Sequence, residues 1–576
     1  MSEIQPVVEL FWSGETLVLR PGKHTTIRAL ERTLSSCAVQ RGPGVLYLHP
    51  ADAEIATKIL HDWKLRLEPA VKEYLRSKRA QRARLMRARE ALEQLQQADV
   101  ARRVLCDFDG VSRLDAHQII AVAAASHEDV FGFCLFDEQG LGKTVTTLYS
   151  FARLRSLGVC TRALVICPKN MILEWVQDAT RFLPQLTVTA VTGTRSRKRQ
   201  ALLSTSDIFV TNFETAIHLR WRLQQLLEAE REKALLAIDE SFFVKNRDAK
   251  RTRAIRELRA KVDRCIVLCG TPAPNSPHDL VEQFNIADGG VTFQGVDLPD
   301  DREMASRVVQ QAIDERGVYL RRLKHEVLPR LPGKSFHHVF VPMAPFQRGA
   351  YAAALGDFVV DLRKETSVSF ERKRASYLAR RSRLLQICSN PASVIPGYSE
   401  TPGKISALDS ILEELITHRA EKVVVWSFYR ESLKRIFLRY QAYNPVRVDG
   451  TVAAVEARRE AVRRFQEDDE SMLFVGNPAA AGAGITLHRA RYAVYESLSN
   501  QSAHYLQSVD RIHRRGQTRA CEYLILLCDR TIEAREYDRL CQKEIAAGVL
   551  LRDRTVPAMT YEALLAEAED AASLLG

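Results

Sequence analysis

Short apolar runs alternate with helical stretches along most of this chain. Runs at 131–136, 163–167, 207–210, 234–238 and 265–268 lack polar interruption. Strands that are apolar on both faces predict a parallel sheet covered by helices on both sides. The same alternation returns at 422–426, 472–475, 492–495 and 521–527, so the pattern predicts two α/β lobes of similar build. The first hundred residues differ. Residues 8–12, a Ser13-Gly14 turn and residues 15–19 read as a β-hairpin, 44–48 as a further strand, and the chain from Asp52 onward as helix. From about 292 to 400 the pattern turns helical and basic, and 559–574 reads as an acidic, Ala/Leu-rich helix. The expected division is an α+β accessory domain over 1–100, a first lobe over 101–333, a helical basic inter-lobe region over 334–400, a second lobe over 401–547 and a tail over 548–576.

Composition narrows the class. At 576 residues the chain exceeds a single core, and 46% hydrophobic with 27% charged residues fits a folded, soluble protein. A net charge of +12 favours a polyanionic partner. The cations cluster in two places. One is a helix carrying Lys72, Arg76, Lys78, Arg79, Arg82, Arg84, Arg87 and Arg89; the other runs through Arg363, Lys364, Arg372, Lys373, Arg374, Arg380, Arg381 and Arg383. Both are read as nucleic-acid-facing, with a solvated helix face as the alternative. Eleven scattered cysteines without a C-x-x-C pair predict reduced, buried thiols and a cytoplasmic setting. The N-terminus has no signal pattern and no apolar run approaches ~18 residues, so no membrane span is expected.

The chemistry begins at Asp137-Glu138-Gln139-Gly140-Leu141-Gly142-Lys143-Thr144, between the 131–136 strand and a helix over 145–154. A strand, a glycine-rich turn ending in Lys-Thr, and a helix make a phosphate cradle, with amides and helix dipole facing the anion. Lys143 is expected at the β- and γ-phosphates of ATP and Thr144 at Mg²⁺. Asp239-Glu240 ends the 234–238 strand, supplying one carboxylate for the metal and one for the attacking water. Arg511 and Arg514, spaced to share one helix face, supply transition-state charge from the second lobe.

These residues carry a resemblance. Residues 137–144, Arg113 to Gln118, Ile166-Cys167-Pro168 with Trp175, Thr211 to Glu214, Asp239 to Asn246, Gly270-Thr271-Pro272, 320–334, 386–391, Asp449-Gly450-Thr451, 479–486 and Gln507 to Gln517 occur in order. Together they resemble the Swi/Snf-type (Snf-two) DNA translocases of helicase superfamily two. The resemblance implies two tandem RecA-like lobes with ATP and Mg²⁺ between them. It implies nucleotide contacts at Gln118, residues 137–144, Gly484 and Gln507, and DNA-backbone contacts at Thr211, Asn212, Ser427 and Thr486. The expected partner is duplex DNA gripped through its phosphates, with a possible protein partner at 1–100 or 548–576 and a bacterial or viral source. A strand-separating DNA or RNA helicase, or a DNA-bound ATP switch, is the alternative. Two positions depart from the family pattern: Phe242 stands where it has histidine, and Ser499-Asn500 lacks its tryptophan.

Overall fold

The computed structural model describes residues 6–575 apart from 15, 36, 38, 50–51, 229–232, 271–277, 300, 451–454, 482–484, 499–501 and 540–560. Among these, three sheets form. The first holds β1 (Val7–Ser13), β2 (Thr16–Pro21), β3 (Val39–Gly42), β4 (Val45–Leu48) and β5 (Lys64–Leu67) in the order β3-β4-β2-β1-β5. The expected hairpin pairs Val8 with Pro21 through Ser13 with Thr16, and β5 adds to β1 in parallel.

The second sheet comprises β6 (Gly132–Leu135), β7 (Arg162–Cys167), β8 (Val188–Ala190), β9 (Ile208–Asn212), β10 (Ala234–Ile238), β11 (Arg264–Leu268) and β12 (Tyr319–Leu320), ordered β12-β6-β11-β10-β7-β9-β8 and parallel throughout. Every residue of β6, β9, β10 and β11 is buried, because helices cover both faces. The phosphate loop leaves the C-terminal end of β6, and the acid pair leaves that of β10. In an open parallel sheet this edge is where ligands bind.

The third sheet contains β13 (Lys334–Val341), β14 (Val423–Trp426), β15 (Val446–Val448), β16 (Leu473–Gly476), β17 (Tyr492–Tyr495) and β18 (Cys521–Cys528), ordered β13-β18-β17-β14-β16-β15 and again parallel. The two tandem parallel-sheet lobes are thus present, with the small α+β unit ahead of them. One boundary is corrected. Residues 334–341, expected in the helical inter-lobe region, form β13 and pair along their length with β18.

Both basic segments also spend part of their charge within the chain. The first is a helix over Pro69–Gln94, but its later arginines point into the first lobe. Arg84 bonds both oxygens of Asp263 at 3.0 and 3.1 Å, Arg87 meets Asp129 at 2.8 Å, and Arg89 donates to the carbonyls of Ile313 and Gly317. These three cations fasten the helix to the lobe, while Lys72, Arg76 and Arg79 stay exposed. In the second segment Lys373 pairs with Glu365, Arg374 with Glu371 and Arg380 with Asp361, while Arg381 is buried between Glu536 and Glu567. Glu567 belongs to the tail helix Tyr561–Leu575, whose Leu564, Ala568 and Ala571 share a core with Tyr351, Leu355 and Phe358. The tail helix therefore docks on its own chain through its apolar face. No described helix is long and apolar enough to cross a membrane.

Candidate active site

Gly140 and Gly142 adopt φ of 89° and 80°, a left-handed conformation that other residues reach only with strain. Gly142 caps the helix Lys143–Ser156, so the loop's amides open at that helix's positive end. The Lys143 ammonium folds back and donates to the carbonyls of Asp137 at 2.8 Å and Glu138 at 3.4 Å. Neutral acceptors leave its charge unmatched, ready for an anion.

Across the sheet, Asp239 accepts from the indole Nε1 of Trp175 at 2.8 Å and from the Glu240 amide at 2.9 Å, which fixes its carboxylate. Glu240 sits at φ 51°, a strained conformation of the kind functional sites hold. Its Oε1 accepts from Gln139 at 2.8 Å and from Gln507 of the second lobe at 3.2 Å, while its buried Oε2 has no bond. Burial and the neighbouring Asp239 raise the Glu240 carboxyl above its ordinary range.

The arginines come from a turn. The helix Ser502–Val509 ends before Asp510, so the expected shared helix face is absent. Both arginines nonetheless converge on one carbonyl: Arg511 and Arg514 each donate to Ile485 O at 3.1 Å, and Arg514 also donates to Thr486 Oγ1 at 2.8 Å. Burial, with Arg514 adding to it, pulls the Arg511 guanidinium down to about 10. A cavity of about 520 Å³ brings these groups together, lined by Lys143, Thr144, Asp239, Glu240, Arg511 and Arg514 among others. Gln118 lines it too, but its Oε1 accepts from the Asp115 amide at 3.0 Å and its Nε2 donates to Leu141 O at 3.4 Å, so the amide is engaged within the lobe.

Other expected site residues sit differently. Asp137 is buried and binds the Arg322 guanidinium, with Nε to Oδ1 at 2.9 Å, so it anchors the loop and does not face phosphate. Glu138 accepts from the Lys324 backbone amide at 2.7 Å. Three of the four expected DNA contacts are enclosed. Thr211 is 0% exposed and donates to Val191 O, Asn212 caps the following helix, and Ser427 is 0% exposed and donates to Glu496 at 2.6 Å. Their side chains are engaged in holding the ends of β9 and β14. Thr486 lines the nucleotide cavity. Gly484, Thr271, Pro272, Thr451 and Ser499-Asn500 lie outside the described residues.

Three features escaped the sequence reading. Arg322 and Lys324, following β12, bond Asp137 and Glu138 of the phosphate loop, a role that only spatial neighbours reveal. The helix Arg195–Ala201 carries Arg195, Arg197 and Arg199, which are exposed and make no side-chain ion pair among the described residues. The written signal, Arg-Ser-Arg-Lys-Arg, was there to find. Glu174, on the helix Ile172–Phe182, also lines the cavity, and burial pushes its carboxyl up to about 7.

Residues 116–393 match the SNF2-related domain and residues 403–516 the helicase conserved C-terminal domain. A probable chromatin-remodeling complex ATPase chain of Oryza sativa subsp. japonica is 29% identical over 75% of this chain and 40% of that protein. An uncharacterized ATP-dependent helicase, MG018, of Mycoplasma genitalium is 24% identical over 77% and 42%. A solved Sulfolobus solfataricus SWI2/SNF2 ATPase core in complex with dsDNA is 22% identical, covering 76% of this chain and 92% of that one with a TM-score of 0.35. The chain spans about two fifths of the length of the curated relatives it matches. With the two family models lying in order across the two parallel-sheet lobes, the chain belongs to the SNF2-related family of helicase superfamily two.

Proposed function

We propose that this protein is an ATP-dependent duplex-DNA translocase that hydrolyses ATP between its lobes to remodel DNA or protein–DNA complexes. The observation that carries the reading is the shared cavity, in which the first lobe's Lys143, Asp239 and Glu240 face the second lobe's Arg511 and Arg514, with Gln507 bonding Glu240 beside it. Its volume suits a nucleotide-sized ligand. The unbonded Oε2 of Glu240 and the fixed carboxylate of Asp239 form a donor set suited to a magnesium–water cluster.

In this reading Lys143 binds the β- and γ-phosphates, and Thr144 and Asp239 hold Mg²⁺. Mg²⁺ held by Thr144 and Asp239 would supply positive charge against the negative charge developing on the phosphates. Glu240 orients the attacking water and takes its proton, which its raised affinity for protons favours. Arg511 and Arg514 exchange Ile485 O for the γ-phosphate oxygens. Since both reach that carbonyl from one turn, a small displacement moves them together.

The DNA partner is supported by the net charge and, locally, by the exposed arginines of the Arg195–Ala201 helix. A motor that grips phosphates is sequence-tolerant and salt-sensitive. ATPase rates with duplex, single-stranded and forked DNA and with RNA, beside displacement of a triplex-forming strand, test the proposal. Duplex stimulation with triplex displacement, both lost in Lys143→Ala, is the expected result. RNA stimulation with strand separation would favour a helicase, and duplex stimulation without displacement would favour an ATP switch.

A further inference from the structure

The chain leaving β12 passes between the phosphate loop and the arginine turn. Arg321 donates to Phe136 O at 3.0 Å, Arg322 to Asp137 Oδ1 at 2.9 Å, and the Lys324 amide to Glu138 Oε2 at 2.7 Å. The Lys324 ammonium then crosses to the second lobe, meeting Asp510 Oδ1 at 2.5 Å and donating to His513 O at 2.9 Å. His513 returns a bond, with Nε2 donating to Pro332 O at 2.7 Å. A methyl group on Gly140 would lie 3.2 Å from Lys324 Cε and 3.6 Å from Arg514 Cβ, so both side chains pack directly on the loop. Lys324 lies behind the nucleotide cavity and is not among the residues that line it.

A cation this enclosed, with its side chain 3% exposed, depends on its few partners. Burial lowers its hold on the proton, and Asp510 and Glu138 oppose that shift. Its bonds to Asp510 and His513 are short and directional, so moving the arginine turn away from the loop breaks both and leaves the buried charge with Glu138 Oε1, 3.9 Å away. The ammonium therefore penalises any inter-lobe spacing but one.

We infer that Lys324 is a positioning residue that couples the phosphate loop to the arginine turn, holding residues 510–514 where Arg511 and Arg514 can reach the γ-phosphate. The inference rests on the ATPase reading above. It assigns inter-lobe coupling to an ammonium that touches neither nucleotide nor DNA.

Lys324→Met in the full chain removes the charge and keeps the length. The expected result is a fluorescent-ATP affinity within about twofold of wild type, a DNA-stimulated kcat at least about tenfold lower, and a broader inter-lobe distance distribution between dyes at the exposed Leu203 and Leu438. Asp510→Asn, at a residue that also lines the cavity, should likewise lower kcat and broaden the distance distribution, and the double variant should be no worse in either than Lys324→Met alone, since the pair acts as one unit. An unchanged kcat and distance distribution would overturn the inference. So would an affinity falling in step with kcat, which would make Lys324 a nucleotide contact. If Lys324→Met does not fold, Asp510→Asn is judged by the distance distribution and kcat alone. Wild-type protein without DNA-stimulated turnover would sink the ATPase reading instead, and the distance measurement would still judge the lysine.

Discussion

Asp137 stands where a general phosphate loop has its first glycine, and the structure gives it a task that glycine cannot perform. Asp137 is 1% exposed and binds Arg322 through both oxygens; Arg322 also donates to His117 O. Asp137→Asn keeps the shape but removes the charge, leaving a guanidinium packed against the loop without its anion. Breaking a buried pair from one side costs about 3–5 kcal/mol, and an amide that still accepts one bond should bring the loss to about 3. For a lobe of this size that lowers the thermal midpoint by roughly 6–12 °C. Nucleotide stabilisation should survive, at about 2.7 kcal/mol when ATP is a hundredfold above its Kd, because Asp137 does not face phosphate. Lys143→Ala should do the reverse, keeping most of the unliganded midpoint and losing the nucleotide increment. Scanning calorimetry with and without a non-hydrolysable ATP analogue separates the two. Should Asp137→Asn keep its midpoint and lose the increment, the anchoring argument fails and Asp137 is a ligand after all.

Arg511→Ala should lower kcat at least about a thousandfold with ATP affinity retained, as loss of an arginine finger does, and a rate near wild type would remove it from the transition state. Replacing Arg195, Arg197 and Arg199 together by Ala should reduce the log–log salt slope of duplex binding by about 0.9 for each phosphate these arginines neutralise, read by anisotropy from about 50 to 200 mM salt. An unchanged slope would take that helix off the DNA face. Glu174 has its carboxyl pushed up to about 7. Its contribution to stability is therefore complete below the ordinary carboxyl range and is lost as pH rises through 7. Wild type should lose about 3 kcal/mol between about pH 4.5 and 8 that Glu174→Gln does not, making the variant the more stable at the alkaline end; equal pH profiles would count against it. Arg381→Met leaves Glu536 and Glu567 with Arg539 as their one remaining described cation, and should loosen the tail helix so that it is cut at protease concentrations that spare wild type.

Sequence reading succeeded where one physical cause dominates. Strands buried on both faces must be apolar without interruption, so β6, β9, β10, β11 and β14 were legible, and a phosphate loop needs its glycines and lysine in a fixed order. It failed where the pattern is mixed. β13 reads Lys-Ser-Phe-His-His-Val-Phe-Val, an edge strand with one wet face, and β5 alternates Lys-Leu-Arg-Leu over only four residues. Charge was the least legible property, because its meaning depends on partners far away in the chain. Arg84 meets Asp263 across 179 positions and Arg381 meets Glu567 across 186, so individual cations within two partly exposed basic runs serve as internal fasteners. Family analogy placed Thr211, Asn212 and Ser427 at DNA, but their hydroxyls and amide are needed to finish strand and helix ends. Any DNA contact at those positions must use the backbone or follow a rearrangement.

The two lobes communicate through adjacent residues of one loop. Gln139 bonds Glu240, which Gln507 of the second lobe also bonds; Glu138 bonds the Lys324 amide, and the Lys324 ammonium bonds Asp510. The two bridges start one residue apart on the phosphate loop and end three residues apart on the second lobe. In the proposed mechanism one passes through Glu240 and would be rearranged when that carboxylate takes up a water; the other, through the Lys324 ammonium behind the cavity, can persist. Phe242, at the position where the family has a histidine, stacks on Phe243 at 4.4 Å and offers no hydrogen bond. Coupling through that position must then be by packing, which transmits displacement but not a change of protonation. The polar signal between catalytic water and arginine turn falls to Gln139, Glu240 and Gln507, and the spacing that makes the signal readable falls to Lys324.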